Sequence, residues 1–454
     1  MTKDMTSGSP IKLLLKFIIP LIFGNLFQQF YSMVDTIIVG RYLGKEALAG
    51  VGSTGSVNYM IIGFCLGVCA GFAIPVAQRF GAKLFDDLRR FVGNIIWLAI
   101  GLSVIFTILT VLLCRPILIA MNTPSDIFEH AYQYIVIIFA GIPATIFYNI
   151  LASLLRALGD SRTPVVFLVL ASLINIALDF ALVLGTPMGV AGAAVATVIS
   201  QAVSGFACLI FIKKKFAILH ITKDDMKLRR AYVSELCGMG SPMGLQCSIT
   251  AIGGILLHEA RKPRGLGSIA VAAVAAATKL SMFFTCAYDA MGVAMSTYGG
   301  QNVGARRMDR IPSGLRSGMI IGSVYSILAF LVILFFGQYL ATLFVDGGEI
   351  EIIQKAHQFL IANGSFYIPL TAVNIFRLYI QGMGFSKLAM FAGVFEMIAR
   401  TIAGLVLVPV FGYTAACFAN PFAWCLADVF LIPAYFYVFK RLKRQFAIEQ
   451  NLGS

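Results

Sequence analysis

Charge is what this 454-residue sequence has least of: Asp, Glu, Lys and Arg make up 12% of it, against 59% hydrophobic residues and a mean hydropathy of +0.87. A soluble domain carries about 25% charged residues, so a water-facing surface over most of the chain is excluded. Histidine is scarce too. The four, His130, His220, His258 and His357, are scattered, and "HEARK" (258–262) lacks the second histidine of a zinc site. No P-loop occurs, which excludes hydrolysis of a nucleoside triphosphate by that route; "GVGSTG" (50–55) fits G-x-G-x-x-G but opens an apolar helix with no strand before it. The nine cysteines lie almost all in apolar runs, so no disulfide framework is implied. No nucleophile-base pair stands out, and an enzyme is not expected.

Long apolar runs are what the sequence has instead. Crossing the hydrocarbon core takes about 20 mostly apolar residues per helix, and twelve stretches qualify, the first at 13–39 and the last at 412–439. The first is too long for a cleavable leader. Lys and Arg concentrate in alternate loops, which places both termini in the cytoplasm of a multi-pass protein of the cell membrane. The net charge of +14 therefore reads as contact with anionic lipid, above all through "KKKFAILHITKDDMKLRR" (213–230), and not as binding to nucleic acid.

The chain repeats itself. "QRFGAKLFDD" (78–87) aligns with "QNVGARRMDR" (301–310), and at the same offset "GVAGAAVA" (189–196) aligns with "GYTAACFA" (412–419). "LGDSR" (158–162) aligns with "MGFSK" (383–387) at nearly that spacing, and Pro20 pairs with Pro242 and Pro143 with Pro369. Each half holds six spans, an even number, so both halves enter the membrane in the same sense. The expected fold is an all-α integral membrane protein: twelve transmembrane helices in two pseudo-symmetric six-helix bundles around a central cleft. Its parts are an N-terminal lobe (1–212), a cytoplasmic linker (213–235) and a C-terminal lobe (236–454). Two lobes that rock about a cleft are the architecture of a secondary transporter.

An Asp at the centre of a membrane helix costs about 2.5–3.5 kcal/mol on insertion scales, so each needs a partner or a task. The first half has Asp35 and Asp179, with no Lys or Arg at comparable depth. Asp35 precedes Gly40 by five residues and Asp179 precedes Gly185 by six, on spans of the same direction, so the two sit at similar depth and can share a pocket. Without a resident counter-charge, either a proton or a metal cation such as Na+ must accompany them. Gln28 and Tyr31 precede Asp35 on its helix face, Asn175 precedes Asp179 by four residues, and Asn149, Thr197 and Gln201 add polar atoms on neighbouring spans. The second half balances itself with Lys279, Asp289, Arg377, Glu396, Arg400 and Asp428; Glu396 and Arg400 have the spacing of an ion pair. Asp289 stands open between a contact with substrate and a pair with Lys279.

"FYSMVDTIIVGRYLGKEALAGVG" (30–52), "LLRALGDSRTP" (154–164), "NIALDFAL" (175–182), "PMGVAGAAVATVISQ" (187–201) and "GQNVGA" (300–305) together resemble the multidrug and toxic compound extrusion family, in particular its DinF-like branch. The resemblance implies export of amphipathic organic cations against inward H+ or Na+, with no other cofactor. It places cation coupling at Asp35, Asn175, Asp179 and Thr197 and matches Pro20 to a first-helix proline implicated in helix bending. Gln28, Tyr31, Asn149, Gln201 and Asp289 are the candidates for the substrate cleft, and the chain is expected to act as a monomer. Family members with acids in the seventh and tenth helices differ: "PMGLQCSITAI" (242–252) and "PLTAVNIFRLY" (369–379) contain none. The alternative is a lipid-linked precursor flippase, which needs several cations facing the cleft in both lobes. A channel or membrane enzyme is a more distant one.

Overall fold

The computed structural model describes residues 3–260, 267–344 and 349–452, and the described residues form helices without strands. With no water in the bilayer to satisfy the backbone, apolar runs of this length must bond internally, and the helix is the single-chain solution. The elements are α1 Pro10–Tyr42, α2 Lys45–Gly81, α3 Phe85–Ala120, α4 Ser125–Ala140, α5 Ile142–Ala157, α6 Arg162–Asp179, α7 Val190–Lys215, α8 Arg230–Ala260, α9 Ser268–Gly304, α10 Arg310–Ala341, α11 Ile350–Gly364, α12 Tyr367–Gly382, α13 Ser386–Ile402 and α14 Val408–Leu452. The histidine–glutamate stretch at 258–262 lies outside the described side chains, and among the described residues no cluster of His, Cys, Asp and Glu suits a metal. All nine cysteines are free.

Twelve crossings follow from these fourteen helices. α4 with α5 and α11 with α12 form bent pairs, at 49° and 51°, each serving as one crossing. The stretch Ser386–Glu449 spans 64 residues, about 96 Å at 1.5 Å per residue, against a hydrocarbon core of about 30 Å. It divides at Gly412, whose φ of 60° and ψ of −135° break the helix. α8, 31 residues long and matched to α1 by its internal proline, is the remaining member of the twelve.

The repeat is written into the backbone. Lys83 and Arg306, which occupy matching positions in the two halves, both turn at φ 58°, a left-handed conformation uncommon for residues other than glycine. Gly189 and Gly412, likewise matched, share positive φ. A π-helical turn at Phe180–Leu184 has its counterpart at Ala403–Leu407. Proline lies inside the first helix of each half, Pro20 in α1 and Pro242 in α8, where it removes an intrahelical hydrogen bond.

The chain forms two compact units, one of Met1–Asp4 with Pro20–Gly244, the other of Met5–Ile19 with Leu245–Ser454. α1 therefore changes unit at Pro20 and α8 at Gly244, just past Pro242. The core of the first unit is aliphatic with Phe72, Phe91 and Phe139 buried in it. That of the second is rich in tyrosine: Tyr288, Tyr298, Tyr367 and Tyr379 are fully buried, and the hydroxyls of Tyr288, Tyr298 and Tyr379 reach Ser326 Oγ, Arg310 O and Ile311 O at 3.0, 3.2 and 2.8 Å.

Between α7 and α8 the basic linker lies along α3. Trp97 Nε1 donates to Met226 O at 2.9 Å, Asn94 Nδ2 donates to Lys227 O at 3.3 Å, and Arg229 N donates to Asn94 Oδ1 at 3.0 Å. Gly93 permits this approach, since a Cβ there would lie 2.1 Å from Asp225 O. Asp225 accepts from Thr222 N at 2.9 Å and Thr222 Oγ1 at 2.8 Å, with Arg89 Nε at 3.9 Å. Burial pushes its carboxyl upward, but the Thr222 bonds and the charges of Arg89 and Arg90 outweigh that and hold it below the usual carboxylate range.

Gly93→Val is expected to destabilise the protein by about 1–3 kcal/mol through the forced clash and to expose the linker to protease. Gly101→Val, where a Cβ would meet nothing within 4 Å, is the control, and thermal unfolding in detergent with timed proteolysis checks both. A group whose pKa is depressed by folding stabilises above its unfolded pKa and loses that contribution as pH falls through the folded value. Asp225→Asn should therefore melt below the native protein at neutral pH, and the two midpoints should converge in acid.

Candidate functional site

Helical spacing aligns Gln28, Tyr31 and Asp35 along α1. α6 brings Asn175 and ends at Asp179, where the chain widens into the π-helical turn Phe180–Leu184; such turns are frequent at functional sites. α7 packs against α6 and supplies Thr197 and Gln201, and α5 supplies Asn149. These side chains converge on a cavity of about 350 Å³ within the first unit, lined by Gln28, Tyr31, Asp35, Asn149, Asn175, Thr197 and Gln201.

Asp179 is not in the lining. It is 0% exposed and sits behind Asp35, the two carboxyl groups close enough to act on one another. Among the described residues, neither carboxyl has a Lys or Arg acting on it; the charge each one meets is the other's.

The hydrogen bonds around the pair leave acceptors over. Asp35 Oδ1, both carboxyl oxygens of Asp179, and the amide oxygens of Asn175 and Asn58 are buried without a donor. Nearby donors are committed: Asn175 Nδ2 donates to Thr197 Oγ1 at 3.4 Å, Thr197 Oγ1 to Ala193 O at 3.1 Å, Asn149 Nδ2 to Thr145 O at 2.8 Å, and Thr145 Oγ1 to Gln201 Oε1 at 2.6 Å. A buried acceptor left unmade costs about 1–3 kcal/mol, more when charged. Oxygens in this excess suit a proton shared between two carboxyls or a hard cation such as Na+.

Other lining residues lie beyond what sequence reasoning identified, among them Asn58, Tyr134 and Arg156. Asn58, an amide inside a span, has a signal of the same kind as Asn149; Tyr134, which feels the charges of Asp35, Tyr31 and Asp179, has none. Arg156 corrects the expectation that the first half has no cation in its interior. It lines the cavity and donates from Nη2 to Ser153 Oγ at 2.9 Å. Its electrostatic neighbours are Tyr148 and Cys69, not the two carboxyls.

Pro20 lies in α1 outside the lining. Asp289 belongs to the second unit, on α9, and the charge that reaches it is Arg377 and not Lys279. The pair expected of Glu396 and Arg400 is present at 3.1 Å, and Arg377 joins it at 2.9 Å.

Comparison with known proteins identifies the family and the fold. The MatE family model matches residues 20–181 and 264–406. A probable multidrug resistance protein, YoeA of Bacillus subtilis (strain 168), is 27% identical over 76% of this chain and 75% of its own length. DNA damage-inducible protein F of Escherichia coli (strain K12) is 26% identical over 80% and 78%. An outward-facing multidrug resistance MATE family transporter of the MOP superfamily superposes with a TM-score of 0.90 at 22% identity, over 98% of this chain and 99% of that one, which establishes the shared fold. With the family model covering most of its length, this multi-pass membrane chain belongs to the MatE family of multidrug and toxic compound extrusion transporters and is a carrier of small organic molecules, not an enzyme.

Proposed function

We propose that the protein is an antiporter of the cell membrane that exports amphipathic organic cations in exchange for inward H+ or Na+, with Asp35 and Asp179 as the coupling pair. The observation that carries the reading is the pair itself: two neighbouring carboxyl groups with three buried oxygens lacking donors and, among the described residues, no resident cation acting on them.

Two adjacent carboxyls in a low-dielectric site cannot both stay ionised cheaply. A proton or Na+ bound there removes the repulsion, and the favoured conformation of the unit changes with it. A cationic substrate supplies the same positive charge. If substrate and coupling ion favour different conformations of the carrier, each drives the release of the other, and alternating access turns this competition into exchange. One elementary charge crossing 100 mV is worth about 2.3 kcal/mol, enough for roughly tens-fold accumulation. Asp35 meets the cavity and Asp179 lies behind it, so the ion enters by way of Asp35, with Asn175 and Thr197 holding the second carboxyl's surroundings. Both termini face the cytoplasm in this reading, and a single chain suffices.

A lipid-linked precursor flippase would need several cations in the cavity. Among the described residues its lining holds Arg156 alone, which does not favour that reading.

Efflux of a cationic dye from vesicles tests the assignment. Native protein should export under an imposed pH gradient or an imposed Na+ gradient, and Asp35→Asn should lose at least ten-fold in rate under the gradient that drives the native form. Equal export by mutant and native protein under both gradients would overturn the coupling site. A hydrophobic carbodiimide, which modifies protonated carboxyls, should label Asp35 ahead of Asp179, as peptide mass spectrometry would show. Equal labelling would remove the proposed order of access.

A further inference from the structure

The sequence repeat matches two stretches whose task the coupling pair does not explain, "QRFGAKLFDD" (78–87) and "QNVGARRMDR" (301–310). In the second unit the latter runs from the end of α9 to the start of α10, and it grips residues ahead of α1. Met5 N donates to Gln301 Oε1 at 2.9 Å, and Asn302 Nδ2 donates to Met5 O at 3.2 Å. Arg310 Nη2 donates to Met5 O at 3.3 Å and to Gly8 O at 2.9 Å, while its Nε donates to Asn302 Oδ1 at 3.0 Å. Met5, Gln301 and Asn302 are all buried.

The first residues of a chain are commonly loose unless something ties them down. Here a main-chain amide and carbonyl that no helix pairs are met by buried side chains, as a buried backbone group requires. Gly8 turns at φ 85°, a conformation uncommon for other residues, as it presents its carbonyl to Arg310.

The matched stretch in the first unit holds the other incoming helix. Arg79 and Asp87 occupy the repeat positions of Asn302 and Arg310. Arg79 Nη2 donates to Glu235 Oε2 at 3.3 Å, and Asp87 Oδ1 accepts from Tyr232 OH at 2.6 Å, both partners lying in the first turns of α8. Arg79 Nε donates to Asp87 Oδ2 at 2.6 Å, so here too the gripping side chains are tied to each other. α8 then leaves the first unit at Gly244, as α1 leaves the second at Pro20. In each unit, therefore, the repeat holds the beginning of the helix that leaves it.

The two helices differ in what they carry next. Beyond Pro20, where the intrahelical bonding is interrupted, α1 bears Asp35. A change at Asp35 is passed along α1 to the second unit only if the start of the helix is fixed there.

We infer that Gln301, Asn302 and Arg310 are positioning residues of the transport cycle: by fixing residues 5–8 they make α1 the element through which ion binding at Asp35 biases the second unit. The inference rests on the coupling pair proposed above.

Dye efflux from vesicles holding the full-length chain, read together with carbodiimide labelling of Asp35, tests it. Arg310→Gln should lower kcat about five-fold or more, with the KM for dye and the labelling of Asp35 within about two-fold of native. A native kcat in Arg310→Gln beside an impaired Asp35→Asn overturns the positioning role and leaves the coupling pair standing. Native export by Asp35→Asn overturns the coupling pair and this inference with it. A change in KM or labelling as large as that in kcat marks general damage to the fold and removes the positioning role too. Where Arg310→Gln fails to fold, Gly8→Val decides: a Cβ there meets nothing within 4 Å, so the substitution acts through its strained φ and leaves the three side chains in place. It should give the same split between kcat and KM, and a native kcat sinks the inference.

Discussion

A carboxylate inside a lipid-embedded bundle must have a positive charge beside it, and the structure of this transporter is organised around how each half meets that demand. In the second unit, guanidinium groups are resident: Arg377 and Arg400 both close on Glu396. In the first unit, among the described residues, no Lys or Arg acts on Asp35 or Asp179, and each acts on the other. A resident ion pair is a fixed part of the fold, while an uncompensated pair depends on an ion from outside. In the proposed coupling, that difference makes the first unit the place where ion binding and conformation are linked.

The backbone prepares the site. α6 ends at Asp179, and the π-helical turn that follows lets the chain pass the buried carboxyl before α7 begins. The same turn recurs at the matching place in the second half, Ala403–Leu407, where the residue corresponding to Asp179 is Ile402 and the ionic groups sit at Glu396 and Arg400. The two halves therefore share the helical irregularity and differ in the chemistry placed upon it. Pro20 and Pro242 show the same economy, each near the point where the first helix of its half passes from one compact unit to the other.

Much of this was legible beforehand. Apolar runs long enough to cross lipid are a strong signal, and the shared depth of Asp35 and Asp179 followed from counting residues to the glycines that end their spans. Asn175 and Thr197 do meet, at 3.4 Å. The bends of 49° and 51° were not legible, because a glycine or proline in a membrane helix can be accommodated with or without a kink. Nor was Arg156, since hydropathy places a residue along the membrane normal only to within a turn and says nothing of which way a helix end faces. The charge acting on Asp289 is Arg377 and not Lys279 for a related reason: helical spacing relates groups on one helix, and this influence reaches α9 from α12.

Arg156 and the acid pair also bear on what the cavity can accept. Its wall carries amides and hydroxyls from several helices, a carboxyl at Asp35 and a guanidinium at Arg156; among the described residues Arg156 is not one of the groups acting on Asp35. On the proposed reading, a guest bearing one positive group gains most at Asp35, on which no Lys or Arg acts among the described residues. An anionic guest would have to approach the unpaired carboxyls to use the single arginine. On the proposed reading, this asymmetry favours cations through the acids, with Arg156 tied to Ser153 beside Tyr148.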